Sequence, residues 1–391
     1  MRGTHLIRLC ALAALALPTK ISAQIKTALT KPDHEFAESF TRITSVRELP
    51  SGKVLISDLQ DKVVNLIDFA AGSVMKVGRE GRGPGEYSTP ATLIELPDGS
   101  TLLHDIIGRR FLSISPDGKP GDIVDMPKPP ETSGAGPRFV LLGGIQNIRG
   151  SDNLGRIYFE GSPLGADGGS VDSVPLLRWD RVKPTYDTVG FRKLPPNAAS
   201  SSVTPSQARF TFGNTKRFTP TEAWGVAGDG SIARVIPDPY RVAWISGKAQ
   251  PVMGQVVPYT PIKVTEAEKK EITEAQRSGT GGGTRIVIGG GTGTGGAQNI
   301  QLPPPEFNDT KPPFDGAAAV AVTPEGEAWV LRTRRHGDET PTYDVFNRSG
   351  ALVKSVSLNP RSRVLGFGKG TVYVARTDED DLQYLQRYKR P

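Results

Sequence analysis

Hydrophobic residues come along this chain in short runs, each following a glycine and each separated from the next by polar turn residues. The pattern is clearest between Gly78 and Gly118. There the turn Pro97, Asp98, Gly99 precedes an apolar run ending in Asp105, and Arg109 and Arg110 open a second run, Phe111 to Ile114, which ends in the turn Pro116, Asp117, Gly118. Asp tolerates the turn conformation and Gly supplies positive φ without steric cost, so two such tripeptides around β-prone runs predict antiparallel hairpins. Helical periodicity is confined to one segment, Thr265 to Gln276, where Thr265 stands at a capping position and Glu268 three residues further on.

The glycine-plus-strand unit occurs six times, at Gly52, Gly99, Gly155, Gly230, Gly326 and Gly370, with spacings of 47, 56, 75, 96 and 44 residues. The shorter spacings match a four-stranded propeller blade, and the two long ones a blade plus an insertion. The sequence therefore predicts an all-β, six-bladed β-propeller with four-stranded antiparallel blades and two inter-blade insertions, 194–222 and 263–315. After Tyr388 the last copy has no room for an outermost strand. His34 to Thr41 can supply it by pairing with Leu382 to Tyr388, which would close the ring and remove two exposed sheet edges. A β-sandwich pair or a solenoid would not account for six copies with a truncated last one.

The strand-Asp-x-x-x-Arg pattern from Leu102 through Asp105 to Arg109, together with the segment GREGRGPGEY, resembles the secreted bacterial six-bladed β-propeller proteins related to NHL-repeat propellers. The resemblance is strong over 43–126, visible again over 316–391 and diffuse between. It implies fold and export. That family has no agreed catalytic motif, so the resemblance assigns no site residue.

The first residues agree with export. Arg2 and Arg8, an apolar run from Leu9 to Leu17, and Ile21-Ser22-Ala23 describe a secretory signal peptide over 1–23. This predicts a single mature domain over 24–391, located in the periplasm or outside the cell. Cys10 is the only cysteine and lies within the signal, leaving the mature protein neither disulfide nor thiolate chemistry. Mature charge falls from +7 to +4, with 45 basic against 41 acidic residues. That balance is too mild and too interspersed for a nucleic-acid partner. No later run is long enough to span a membrane, and a monomer is expected.

The insertion 194–222 carries Phe210, Phe212 and Phe218, too aromatic for a disordered linker, and is expected to pack on the body. The tract from Gly279 to Gly296 is nearly all Gly and Thr, lacks the Gly-Lys-Ser/Thr ending of a phosphate loop, and should contribute little to stability. Replacing it with a short Gly-Ser linker should change stability by about 1 kcal/mol or less, because loop-closure entropy varies only logarithmically with length. Limited proteolysis should cut first near Arg277 or Arg285. Beyond the tract, Phe307 and Phe314 are the candidate anchors of a proline-rich return.

In a propeller, the loops joining second to third strands emerge on the same channel face as the connections between blades. That face gathers the candidate ligand-binding residues Asp58, Arg79, Arg82, Asp105, Arg109, Arg334, His336 and Arg376. Asp58 and Asp105 follow equivalent strands, as ligand-facing carboxylates or as acceptors for loop amides. Arg79 and Arg82, among the glycines of 78–85, can converge with backbone amides on an anion, or can pair with Glu80 and Glu86. Catalytic constellations are thin: His34, His104 and His336 are the only mature histidines, with no metal-pair spacing, and no Gly-x-Ser-x-Gly elbow is present. The leading expectation is a binding or scaffold module for a small-molecule, glycan or protein ligand, with no catalytic residue assigned. The alternative is a metal-dependent hydrolase or lyase of the lactonase or amidating-lyase kind, its divalent cation, such as Ca2+, held in the channel by Asp, Glu and Asn side chains.

Overall fold

A computed structural model describes residues 25–126, 146–161, 171–183, 185–196, 199–204, 207–212, 216–278 and 304–391. They form six four-stranded antiparallel sheets around a central axis. The innermost strands are Ile43–Glu48, Pro90–Glu95, Gln146–Ser151, Ala223–Val226, Val320–Val322 and Ser362–Gly368, and blades one to five then run outward in chain order, as do the first three strands of blade six. Neighbouring innermost strands lie against one another around the channel. Each of the six glycines singled out in the sequence precedes the second strand of a blade and has positive φ, from +70° at Gly370 to +95° at Gly326.

The ring is closed by an N-terminal strand, as expected. His34–Phe40 pairs antiparallel with Gln383–Lys389, in the register His34 with Arg387 and Phe40 with Gln383, and becomes the outermost strand of blade six. A second contribution was not expected. Ile25–Leu29 pairs in parallel with Leu352–Leu358 and adds a fifth strand to blade five. One N-terminal strap therefore covers the outer edges of two adjacent blades.

Second strands such as Val54–Asp58 and Thr101–Asp105 are buried along their whole length, because neighbouring blades cover both of their faces. This is why they read as continuous apolar runs rather than alternating ones. Leu55 faces blade two, packing with Leu93 and Leu103, while Val54 and Ile56 face blade six, packing with Phe36, Tyr373 and Leu385. The same division gives one apolar cluster at each of the six joints. The joint between blades four and five also brings backbones into contact. A Cβ on Gly254 would stand 2.2 Å from the Gly350 carbonyl oxygen and 2.6 Å from that of Val242. Neither carbonyl can yield without moving a strand, so Gly254→Ala should destabilise the protein by roughly 1–3 kcal/mol in chemical denaturation.

Both insertions rise on the channel face. The first includes a hairpin, Ala199–Thr204 with Gln207–Phe212. The second carries helix α1, Glu266–Ser278, whose Glu268 amide donates to the Thr265 hydroxyl (3.2 Å), as its cap predicts. Glu268 does not complete the reciprocal bond of a capping box; its carboxylate reaches Lys311 Nζ at 2.5 Å. Phe314 is wholly buried between blades four and five. Phe307 instead meets Phe218 across the two insertions, centroids 6.5 Å apart, beside a backbone bridge from Arg217 to Phe307. The segment expected to be a signal, Cys10 within it, and the Gly-Thr tract lie outside the described residues, as do the side chains of Phe210 and Phe212. Among the described residues no helix is long and apolar enough to cross a membrane.

Candidate functional site: the channel face

Each blade has a carboxylate on the channel side that the protein itself occupies, buried in blades one to five and exposed at Glu35 in blade six. In blade one, Asp58 accepts the amides of Arg42 (2.8 Å), Gln60 (3.0 Å) and Asp61 (3.0 Å). In blade two, Asp105 accepts those of Ser88, Thr89 and Gly108 and is paired with Arg110 Nε at 3.2 Å. The equivalent positions in blades five and six, six residues past the turn glycine, are Arg332 and Arg376. There the acid comes from elsewhere. Arg332 grips Asp344 on the adjacent third strand (2.6 and 2.7 Å), and Arg376 grips Glu35 of the closing strand (2.9 and 3.0 Å) while lying over the Tyr384 ring. Blade four pairs Glu222 with Arg234, also in bidentate fashion.

In blade three both partners of the pair are buried. Glu160, 4% exposed, takes both Arg192 nitrogens (2.9 and 2.8 Å), the Trp224 indole N–H (2.7 Å) and Asn147 Nδ2 (3.0 Å). Burial opposes ionisation of Glu160, but Arg192, Trp224 and the charge of Arg149 together hold its pKa below the usual value. Arg149, over the Trp224 ring at 5.9 Å, helps to line a channel cavity of about 280 Å³ with Val226, Val322 and Phe367.

Asp58 and Asp105 thus face their own loops, as acceptors of loop amides. The loop at 78–85 does form an anion cradle, and the anion in it is Glu86: its carboxylate receives Arg79 Nε (2.7 Å) and the amides of Arg82 (2.9 Å) and Gly83 (2.8 Å). Those bonds, the Gly83 amide first, lower the Glu86 pKa. Glu80 lies 3.9 Å from Lys62 instead of pairing with an arginine of this loop. The Arg82 side chain is exposed and its carbonyl accepts from Arg110, which also donates to Gly81 and Glu86 and ties the loop to blade two. Arg109 is exposed at a loop tip with φ +52°. His336 Nε2 meets Glu271 of helix α1 at 2.7 Å, and the Arg334 carbonyl accepts from the buried Lys311 (2.6 Å). Arg334 and His336 therefore share a corner under the second insertion, whereas Asp58, Arg79, Arg82, Asp105 and Arg109 belong to blades one and two and Arg376 to blade six. Among the described residues, no group of three or more His, Cys, Asp or Glu side chains stands close enough to hold one metal ion.

Sequence reasoning missed Arg42 and Arg363, which precede and open innermost strands of blades one and six. Arg363 donates to the Ile43 carbonyl and to Gln383 Oε1 (3.1 Å). Their signal, an arginine at an innermost strand, is visible only once the ring has placed blades six and one together.

His104, buried on the second strand of blade two with its ring against Phe111, has its pKa lowered to about 4 by burial, with Asp105 opposing the shift. Its folded pKa lies below its unfolded one, so the stability it supports is complete above about pH 6.5 and is lost as pH falls towards 4. The loss amounts to roughly 2–4 kcal/mol. His104→Leu should remove that part of the pH dependence of the melting temperature between pH 7 and 4.5; an unchanged profile would show that the ring is not buried.

No protein-family model and no curated protein matches the sequence. Solved structures match in fold. A member of the DUF4221 family from Bacteroides vulgatus aligns at a TM-score of 0.48 and 8% identity over 93% of this chain and 96% of its own. Regucalcin, a calcium-binding protein from Agrobacterium tumefaciens, aligns at 0.42 and 10% over 94% and 98%. Virginiamycin B lyase from Staphylococcus aureus aligns at 0.41 and 11% over 91% and 98%. The chain is a six-bladed β-propeller, built from four-stranded blades and closed by its own N-terminal strand.

Proposed function

We propose that this protein is an exported binding module that takes a ligand at the channel face of the propeller. The observation that carries the reading is the order invested in that face beyond what closes the ring. The two insertions are joined to each other through Arg217 and Phe307 and by Asn308 Nδ2 to the Thr219 hydroxyl (3.0 Å). The second is fastened to blade five by Lys311, Phe314 and the Glu271 to His336 contact. A module that only had to be stable would gain little from ordering the described parts of these connections on one side, since ordering costs about 1–2 kcal/mol per residue. The carboxylates that a lactonase-like or lyase-like centre would draw on are held by arginines and amides.

Export is tested by fractionating cells that express the full chain: cleavage after Ala23 and recovery outside the cytoplasm are expected, and a cytoplasmic, uncleaved product would contradict export. Function is tested by thermal-shift screening of the mature chain against small acids, sugars and peptides, with lactone hydrolysis followed in parallel in added Ca2+. Saturable binding without turnover is expected. Calcium-dependent turnover at enzymatic rates would establish the hydrolase reading instead.

A further inference from the structure

The charged groups of the channel face are unevenly satisfied. Arg192, Arg234, Arg332 and Arg376 each face a carboxylate at hydrogen-bond distance. Where blades five, six and one meet, the arrangement differs. Arg363, half-buried on the innermost strand of blade six, has only neutral acceptors, the Ile43 carbonyl and Gln383 Oε1. The Gln383 oxygen is already shared with the Ile43 amide (2.9 Å). Arg42 stands immediately before the innermost strand of blade one, and Arg334 on the loop between the second and third strands of blade five. Both Arg334 and Arg363 lie near enough to the buried Tyr343 for their charges to favour its ionisation against burial, and Arg42 likewise opposes the charge of Arg363. The Tyr343 hydroxyl accepts the Val364 amide (2.9 Å), which fixes it beside the backbone of Arg363. Among the described residues, none of the three guanidinium groups forms an ion pair with a carboxylate. The nearby acids are engaged elsewhere: Asp58 on loop amides, Asp344 on Arg332, and Asp381 on Arg361 (2.7 Å).

The Arg363 guanidinium on the Ile43 carbonyl, next to Arg42, and the Tyr343 hydroxyl on the Val364 amide bring these segments of blades one, five and six together; a partly desolvated guanidinium with no ion-pair partner favours an anion that enters beside it. Guanidinium groups present planar pairs of donors that match an oxyanion. We propose that this mouth of the channel, formed by Arg363, Arg42 and Arg334, binds a small ligand through a carboxylate or phosphate group. The proposal rests on the reading of the protein as a channel-face binding module and supplies the chemistry of its ligand. Helix α1 and the Lys311 anchor stand beside Arg334, so the second insertion forms one wall of the site.

The test is isothermal titration of the mature chain, residues 24–391, with inorganic phosphate and separately with citrate, at low and raised sodium chloride. Saturable binding of at least one of them, weakened by salt, is expected, and binding of citrate alone or phosphate alone identifies which oxyanion the site prefers. Arg42→Gln and Arg334→Gln should each weaken that affinity by roughly tenfold or more, the usual worth of a hydrogen bond to a charged group. Arg363→Met should abolish it. A purely structural Arg363 would lower the melting temperature when replaced. A ligand-binding one, held without a counter-ion, should leave it unchanged or raised in anion-free buffer and remove the stabilisation that the anion confers. The site is refuted if neither anion binds, or if the arginine variants bind like the parent. If a neutral ligand from the screen binds the parent and all three variants alike, the binding-module reading survives and this site does not.

Discussion

A chain lacking residues 24–42 will lose most of its stability. That segment contains Phe36 and Phe40, buried in the cluster that joins blade six to blade one with Ile43, Ile56, Tyr373 and Leu385. Replacing one such phenylalanine with alanine costs about 3–5 kcal/mol. The truncation removes both, strips Gln383–Lys389 of its pairing partner and opens two sheet edges to association. Since a domain of this kind has about 5–15 kcal/mol in hand, the truncated chain should melt far below the parent or aggregate. Deleting only residues 24–30 separates the two parts of the strap. Ile25–Leu29 is mostly exposed and adds to a blade that already has four strands, so its loss should cost no more than about 1–2 kcal/mol. A truncation to residue 42 that melts like the chain of residues 24–391 would show that the ring does not depend on this closure.

The second large effect concerns Glu160. It is the common acceptor for Arg192, Trp224 and Asn147 and its charge also acts on Arg149. Removing it strands guanidinium charge in the cluster between blades three and four, around Tyr158, Leu176, Trp224, Val226 and Ile232. Breaking a buried pair on one side typically costs about 3–5 kcal/mol, and Glu160→Ala should fall in that range by denaturant unfolding. Glu271→Ala, which removes an exposed partner of His336, should cost under about 1 kcal/mol. The pH dependence has a definite sign. The folded pKa of Glu160 is depressed, so its contribution is present above the unfolded carboxylate value and is lost as pH falls through the folded one. Glu160→Gln should therefore flatten the acid limb of the stability curve while lowering it at neutral pH. A steeper acid limb would mean that Glu160 is protonated in the native state.

What could be read from the residues alone follows from how locally each feature is specified. The turn at Gly99 and the run from Thr101 to Asp105 carry their own chemistry, so the blades, their number and the missing last strand were legible. Ile25–Leu29 was not, because IKTAL has no register signal and only the edge at Leu352–Leu358 selects it. The stitching carboxylates were half legible. Asp58 and Asp105 repeat at one position, but blades five and six place arginine there and draw Asp344 and Glu35 from other strands, a swap that spacing cannot reveal. The anion cradle at 78–85 was correctly shaped and its occupant is the chain's own Glu86. Arg363 was invisible for a different reason: its burial comes from ring closure, which brings residues more than three hundred positions apart into contact.

The central claim is that the carboxylates of the channel face hold the propeller together with amides and with Arg192, Arg234, Arg332 and Arg376, while Arg42, Arg334 and Arg363 are left to meet a ligand. It is tested most directly by a crystal structure of residues 24–391 grown with millimolar calcium, at a resolution that resolves ions. The account predicts that Asp58, Asp105, Glu160, Glu222, Asp344 and Glu35 keep their arginine and amide partners and that density for an anion, where present, lies among Arg42, Arg334 and Arg363. Three or more carboxylate or histidine groups drawn onto one cation at about 2.3–2.6 Å in the channel would contradict it.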